Sequence, residues 1–347
     1  MSRRRALVLC PGRGSYDRSC LGSLASRSEA AAQAIAVIDR WRSAMGRPTV
    51  TELDAADSFR ASLHVAGEHA SALTFAVGFA DWLELDRERY EVVGVAGNSM
   101  GWYTALGVSG ALSLDDTVRL IDTMGAYQEG NIIGGQILYP TSDTDWRSSP
   151  AALAAIEAAL ASARAKGHTA AWSIDLGGYA VLGADRGGIK HLLAALPPDT
   201  RGSRTFPLQL PLHSAFHTSL MQGTSQRAQA ELAGLSFQAP RLPLFDGRGQ
   251  LFRPRWSDPA ELAAYTLGHQ VVEPYDLTTS VRTALRHTGA DVVVCLGPGN
   301  PLGGPVARIL VAEGWRGARS RGALEALEPP ALLSFGFPPQ RSALLAS

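Results

Sequence analysis

Apolar positions along this chain follow two periods, and the elements change where the period changes. Short runs with few polar residues, at 6–10, 90–96 and 291–296, read as strands buried on both faces. Between the first two, apolar residues recur at helical spacing over about 28–45 and 63–83. A further helix opens at 114, where Ser113 is placed to cap it and Asp115 and Asp116 fall in its first turn. Strands alternating with helices predict a parallel, helix-covered sheet with a site at the carboxyl ends of its strands.

After 130 the pattern changes. A strand over 136–139, an alanine-rich helix over 150–165 and strands over 170–174 and 179–183 are followed by a helix over 188–196 and a strand over 203–209. This βαββαβ order is the split-βαβ signature of a ferredoxin-like unit. The expected fold is α/β, with a large hydrolase-like domain built on a parallel sheet over 1–130 and 211–347 and a small ferredoxin-like domain inserted at 131–210. Beyond about 316 the chain is rich in Arg, Gly and Pro and reads as a C-terminal extension without an assigned role.

The 90–96 strand runs into Gly97-Asn98-Ser99-Met100-Gly101, with an apolar helical stretch after it. Glycines on both sides of a serine permit a sharp strand-to-helix turn that presents Ser99 Oγ, with the next helix's first amides nearby to hold an oxyanion. In a chain with 36 glycines such a motif also arises by chance, so its surroundings must decide.

Composition narrows the setting. A chain of 347 residues with 46% hydrophobic content can bury a large core without metal or disulfides. Lys plus Arg equals Asp plus Glu at 32 each, so no global field points to nucleic acid or a membrane surface. Cys10, Cys20 and Cys295 form neither a CxxC pair nor an even framework and read as unpaired thiols of a reducing compartment. The basic start is followed by an apolar stretch of only 6–10, short of a secretory core, and no run approaches the ~20 residues of a membrane span. A soluble cytoplasmic protein is expected.

Five segments in order resemble the malonyl-CoA:acyl carrier protein transacylase family and the acyltransferase domains of polyketide synthases. They are Pro11-Gly12-Arg13-Gly14-Ser15, the stretch from Gly97 to Leu106, Ser214-Ala215-Phe216-His217, Gln270 with Glu273-Pro274, and Leu296-Gly297-Pro298-Gly299-Asn300. The resemblance implies that Ser99 is a nucleophile and His217 its base, with a main-chain carbonyl near Gln270 orienting the imidazole. It implies an oxyanion hole from the amides of Met100 and Arg13. It implies acyl-CoA and a phosphopantetheinyl acyl carrier protein as substrates and partners, with no permanently bound cofactor and no metal. Asp246 is an alternative acid partner for His217.

Departures from the family pattern bear on the acyl group. Met124 stands where most members carry an Arg that pairs with a substrate carboxylate, which favours acyl groups without one. Asn98 replaces the family's His before the serine and Trp102 its Glu, and both are expected to border the pocket; Phe216 points to a small or linear acyl group. Arg13 replaces a Gln, and its guanidinium offers a different cation for a malonyl carboxylate. Arg316, Arg319, Arg321, Arg186 and Lys190 are candidates for docking an acidic carrier, or plain solvated charge.

Blander readings stand beside these. Ser99 can be a turn serine, His217 a core histidine and Met124 core filling. His213 and His217 lack a third ligand for zinc. Gly297-Pro298-Gly299 lacks the GK[ST] of a phosphate loop and reads as a tight turn near the site. A carrier hydrolase using the same pair, a carrier-docking subunit, and an esterase with His269 or His287 as base are the competing functions.

Overall fold

The computed structural model describes residues 2–346. Its main sheet has six strands, in the order Leu251–Phe252, Leu244–Phe245, Tyr90–Gly97, Arg4–Cys10, Val292–Cys295 and Leu332–Ser334. All neighbours are parallel except the first pair, which is antiparallel. Residues 6–10 and 292–295 are almost wholly buried, as expected of central strands covered on both faces. Cys10 is in register with Gly97, so the loops after these two strands leave the sheet side by side. Strand order also reverses beside Arg4–Cys10, which opens a crevice at the strands' carboxyl ends.

Helices form where their periodicity and caps place them. Ser28 caps Glu29–Ala44 and Ser113 caps Leu114–Ala126, each accepting a bond from the amide three residues on. The stretch read as one helix over 63–83 divides into Ala61–His64 and Gly67–Glu84. The longer piece lies against both capped helices. Asp122 is buried between Arg42 and Arg47, which ties Leu114–Ala126 to Glu29–Ala44 and sets the helix that carries Met124.

The second sheet has the predicted ferredoxin-like order. Ala170–Asp175, Tyr179–Ala184, Gly135–Pro140 and Leu208–Leu210 lie side by side and antiparallel, over a separate core with Ile156, Leu160, Ile189 and Leu192 from its two helices. Three expectations need correction. The strand read over 203–209 is two pieces, because Pro207 supplies no N–H to continue a ladder: Arg204–Phe206 pairs with Asp199–Arg201, and only Leu208–Leu210 joins the sheet. Tyr275–Asp276, far along the chain, adds a parallel edge beside Ala170–Asp175. The segment beyond 316 is more than an extension, since Leu332–Ser334 completes the main sheet beside Val292–Cys295. Among the described residues no helix is long and apolar enough to cross a membrane.

Candidate active site

The turn after Tyr90–Gly97 is as tight as its glycines require. A Cβ on Gly97 would lie 2.2 Å from the Gly101 carbonyl, and one on Gly101 would lie 2.1 Å from the Cys10 oxygen. Ser99 sits at φ 54°, in the left-handed region that a serine rarely adopts, at the apex between strand and helix. Its Oγ is 2.8 Å from His217 Nε2. His217 is also left-handed, at φ 60°, and fully buried. Two strained residues facing each other are held by packing around them, the mark of a functional turn.

His217 Nδ1 is 2.6 Å from the main-chain oxygen of Gln270. A carbonyl only accepts, so Nδ1 carries the proton and Nε2 turns its lone pair to the Ser99 hydroxyl. The same Gln270 fixes the serine: its Nε2 donates to Ser99 O at 3.1 Å, and its Oε1 accepts from Tyr103 OH at 3.0 Å. Tyr103 lies one helical turn beyond Ser99, a spacing that marks it in the sequence, where it went unassigned. Asp246 takes no part. It receives the Arg248 guanidinium and the amides of Arg248 and Gln250, closing its own turn. His269 stacks on Tyr265 and His287 packs on Phe245, so neither alternative base is at the serine.

Burial pushes His217 down to about 4, helped by the nearby His269 and opposed by the Gln270 carbonyl. At neutral pH the imidazole is therefore unprotonated and ready to accept a proton. We expect the kcat/KM of Ser99 acylation to be flat from above about pH 5 and to fall only as pH drops through about 4, measured by brief pH jumps. A midpoint near 6.5, the ordinary histidine value, would mean that the base is solvated or is another group.

The Pro11–Ser15 loop packs on the same turn. Asn98 N donates to Cys10 O at 3.0 Å, and a Cβ on Gly12 would lie 2.7 Å from Asn98 O. Neither the Met100 nor the Arg13 amide donates to a backbone partner among the described residues, and both residues line the cavity with Ser99. Gly299 approaches the Ser15 carbonyl, as a tight turn near the site should.

These residues open onto a cavity of about 820 Å³ between the two sheets. Asn98, Ser99, Met100, Arg13, Met124, Phe216, His217 and Gln270 all line it. Trp102 does not, contrary to expectation: it is fully buried behind the helix, with Nε1 donating to Thr266 Oγ1 at 2.9 Å and its ring edge-on to Tyr265. A large apolar ring gains more from that packing than from a solvated pocket wall. Arg13 enters the space that Gly67 leaves open, since a Cβ there would sit 2.8 Å from Arg13 Nη1. Its Nη2 donates to Leu212 O, while Nη1 is buried without a partner. Burial lowers the guanidinium to about 10, which leaves it charged at neutral pH, with Glu68 as the opposing influence. His213 Nδ1 lies 2.7 Å from Pro211 O, and among the described residues no group of three or more His, Cys, Asp or Glu is placed to hold a metal.

Comparison with solved structures gives the same fold for acyl carrier protein transacylases. The malonyl-CoA:acyl carrier protein transacylase of Xanthomonas oryzae pv. oryzae aligns over 100% of both chains with a TM-score of 0.74 at 19% identity. The malonyl-CoA:ACP transacylase of Synechocystis sp. PCC 6803 covers 98% of this chain and 100% of its own, with a TM-score of 0.75 at 18% identity. A malonyl-transacylase in complex with its type II PKS acyl-carrier protein covers 88% of this chain and 93% of its own, with a TM-score of 0.70 at 19% identity. In sequence, the chain is 26% identical over 257 residues to a PKS-NRPS hybrid synthetase of Aspergillus candidus, matching 74% of this chain. The match spans about 10% of that synthetase's length. No protein-family model matches the chain.

Proposed function

We propose that this chain is an acyltransferase that accepts an acyl group on Ser99, from a coenzyme A thioester or an acyl carrier, and passes it to the phosphopantetheine thiol of an acyl carrier protein in fatty acid or polyketide assembly. The observation that carries this reading is the 2.8 Å contact of Ser99 Oγ with His217 Nε2. In the first half, Nε2 takes the hydroxyl proton as Oγ attacks the thioester carbonyl, and the Met100 and Arg13 amides receive the oxyanion. Collapse expels the thiol, which leaves with the proton from His217. In the second half the carrier thiol gives its proton to His217, attacks the acyl-serine carbonyl and releases Ser99, to which that proton returns. The similar fold of a transacylase bound to its carrier protein supports a carrier as the partner.

Met124 in the cavity wall supports an acyl group without a terminal carboxylate, because a thioether offsets none of the cost of burying one. A specific observation favours a second reading: the buried, unpartnered Nη1 of Arg13 offers a malonyl-type carboxylate a charged donor from the opposite loop. Intact-protein mass spectrometry tests both. With acetyl-, malonyl- and medium-chain acyl-CoA we expect a Ser99-dependent adduct that moves to added carrier protein; an adduct lost to water instead would identify a hydrolase. Arg13→Gln separates the acyl readings. A drop in malonyl relative to acetyl loading by about tenfold or more assigns Arg13 to the carboxylate, whereas an unchanged ratio, with Met124→Arg raising malonyl use, assigns an uncharged acyl group.

A further inference from the structure

Although the whole chain balances 32 basic against 32 acidic residues, the cavity does not. Among the described residues that line it are four arginines, Arg13, Arg201, Arg204 and Arg308, against one carboxylate, Asp17. Asp17 is occupied, accepting from the amide and hydroxyl of Ser19. Three of the arginines, Arg201, Arg204 and Arg308, form a group. Arg201 and Arg204 are direct cross-strand partners in the Asp199–Arg201 and Arg204–Phe206 hairpin, an arrangement in which like charges repel. Arg201 also donates to Ser142 O, and the Arg308 side chain packs beside Ser142 around Gly178.

Their charge is only partly offset. Arg201 pairs with Asp199 at 2.8 Å, but neither Arg204 nor Arg308 meets a carboxylate among the described residues. Arg308 reaches only neutral groups: Gly304 O, Tyr179 OH and the faces of Tyr179 and Trp146. Its Nε is buried with no partner. Desolvation lowers its basicity, and Arg201 and Arg321 add like-charge repulsion. A cluster of this kind is stabilised by an anion that accepts from several guanidiniums at once, which is the geometry of a phosphate. The walls that share the cavity with Ser99 are largely apolar, from Leu138, Ile174, Val181, Phe206 and Leu210, and suit an uncharged linear chain.

The geometry points to Arg201, Arg204 and Arg308 as the binding site for the phosphate ester at the end of a pantetheine arm, whose thiol end lies at Ser99. This rests on the acyltransferase reading for the thiol end alone. The phosphate chemistry is common to coenzyme A and to the carrier's phosphopantetheine. None of the five basic residues read in the sequence as candidates for docking a carrier lines the cavity, and Arg321 is paired with Glu325.

Calorimetric titration of CoA, 4′-phosphopantetheine and pantetheine into the full chain tests the site without turnover, so a protein that binds the phosphate but never acylates Ser99 would overturn the transferase and keep the site. We expect 4′-phosphopantetheine to bind at least about tenfold more tightly than pantetheine, with a preference that shrinks as salt rises. In Arg204→Gln/Arg308→Gln that preference should collapse toward one, while Arg308→Lys, which keeps a point charge, should retain part of it; melting curves check that each variant is folded. Pantetheine binding as tightly as its phosphate in the native chain, or a folded double variant that keeps the preference, would overturn the proposal. In acyl transfer, a KM rise confined to CoA donors would place the coenzyme's phosphates there, and one confined to the loaded carrier would place the carrier's phosphodiester.

Discussion

Ser99→Ala is expected to form no acyl-enzyme with any thioester and to lose about 10⁴-fold or more of kcat/KM for transfer. The chain should fold unchanged, because alanine meets the φ 54° backbone with no more strain than serine. His217→Ala should fall nearly as far, and the double variant no further, since a nucleophile and its base act as one unit. The contact at 2.8 Å and the Gln270 carbonyl at 2.6 Å are what make the two side chains a unit. Rate and adduct mass, measured together, check this: a Ser99→Ala protein that still loads and transfers acyl groups would remove Ser99 from the chemistry altogether.

Gly101→Ala should be strongly destabilising. Its Cβ would lie 2.1 Å from Cys10 O and 2.8 Å from Pro11 O. Both are main-chain atoms, so no side-chain rotation relieves the clash; either the 11–15 loop or the nucleophile turn must move. A cost of about 4 kcal/mol or more follows, a fall of roughly 5 °C or more in Tm for a chain of this size. Gly223→Ala is the matched control. Gly223 lies in the helix Gln222–Glu231 with nothing within 4 Å of a built Cβ, so alanine there should leave Tm level or raise it slightly. Differential scanning calorimetry of the two variants decides the point: equal Tm values would mean that the turn is slack enough to accept a side chain and that sterics do not hold Ser99 in place.

What could be read in the sequence is what local sterics and periodicity encode. The strand before Gly97, the two glycines and the apolar helix after them are consecutive, and so are the cap Ser113 with its helix and the βαββαβ order. His217 and Gln270 are legible only as parts of ordered motifs, and these two residues meet at Ser99. Trp102 is expected at the pocket from its place in the motif, but its ring packs away from it, on Thr266 and Tyr265.

By itself, then, the sequence determined the tight turn at Ser99, the main helices and the order of strands in the inserted unit, since each depends on residues within a few turns of one another. The tertiary structure alone decided the rest. It set Leu332–Ser334 beside Val292–Cys295, turned Asp246 to Arg248 and left His217 on a main-chain carbonyl. It also gathered Arg201 and Arg204 from a hairpin and Arg308 from a distant helix onto one cavity. The reason is physical: contacts between residues a hundred positions apart are chosen by which surfaces exclude water and which charges meet when sheets and helices pack, and no local pattern records that choice.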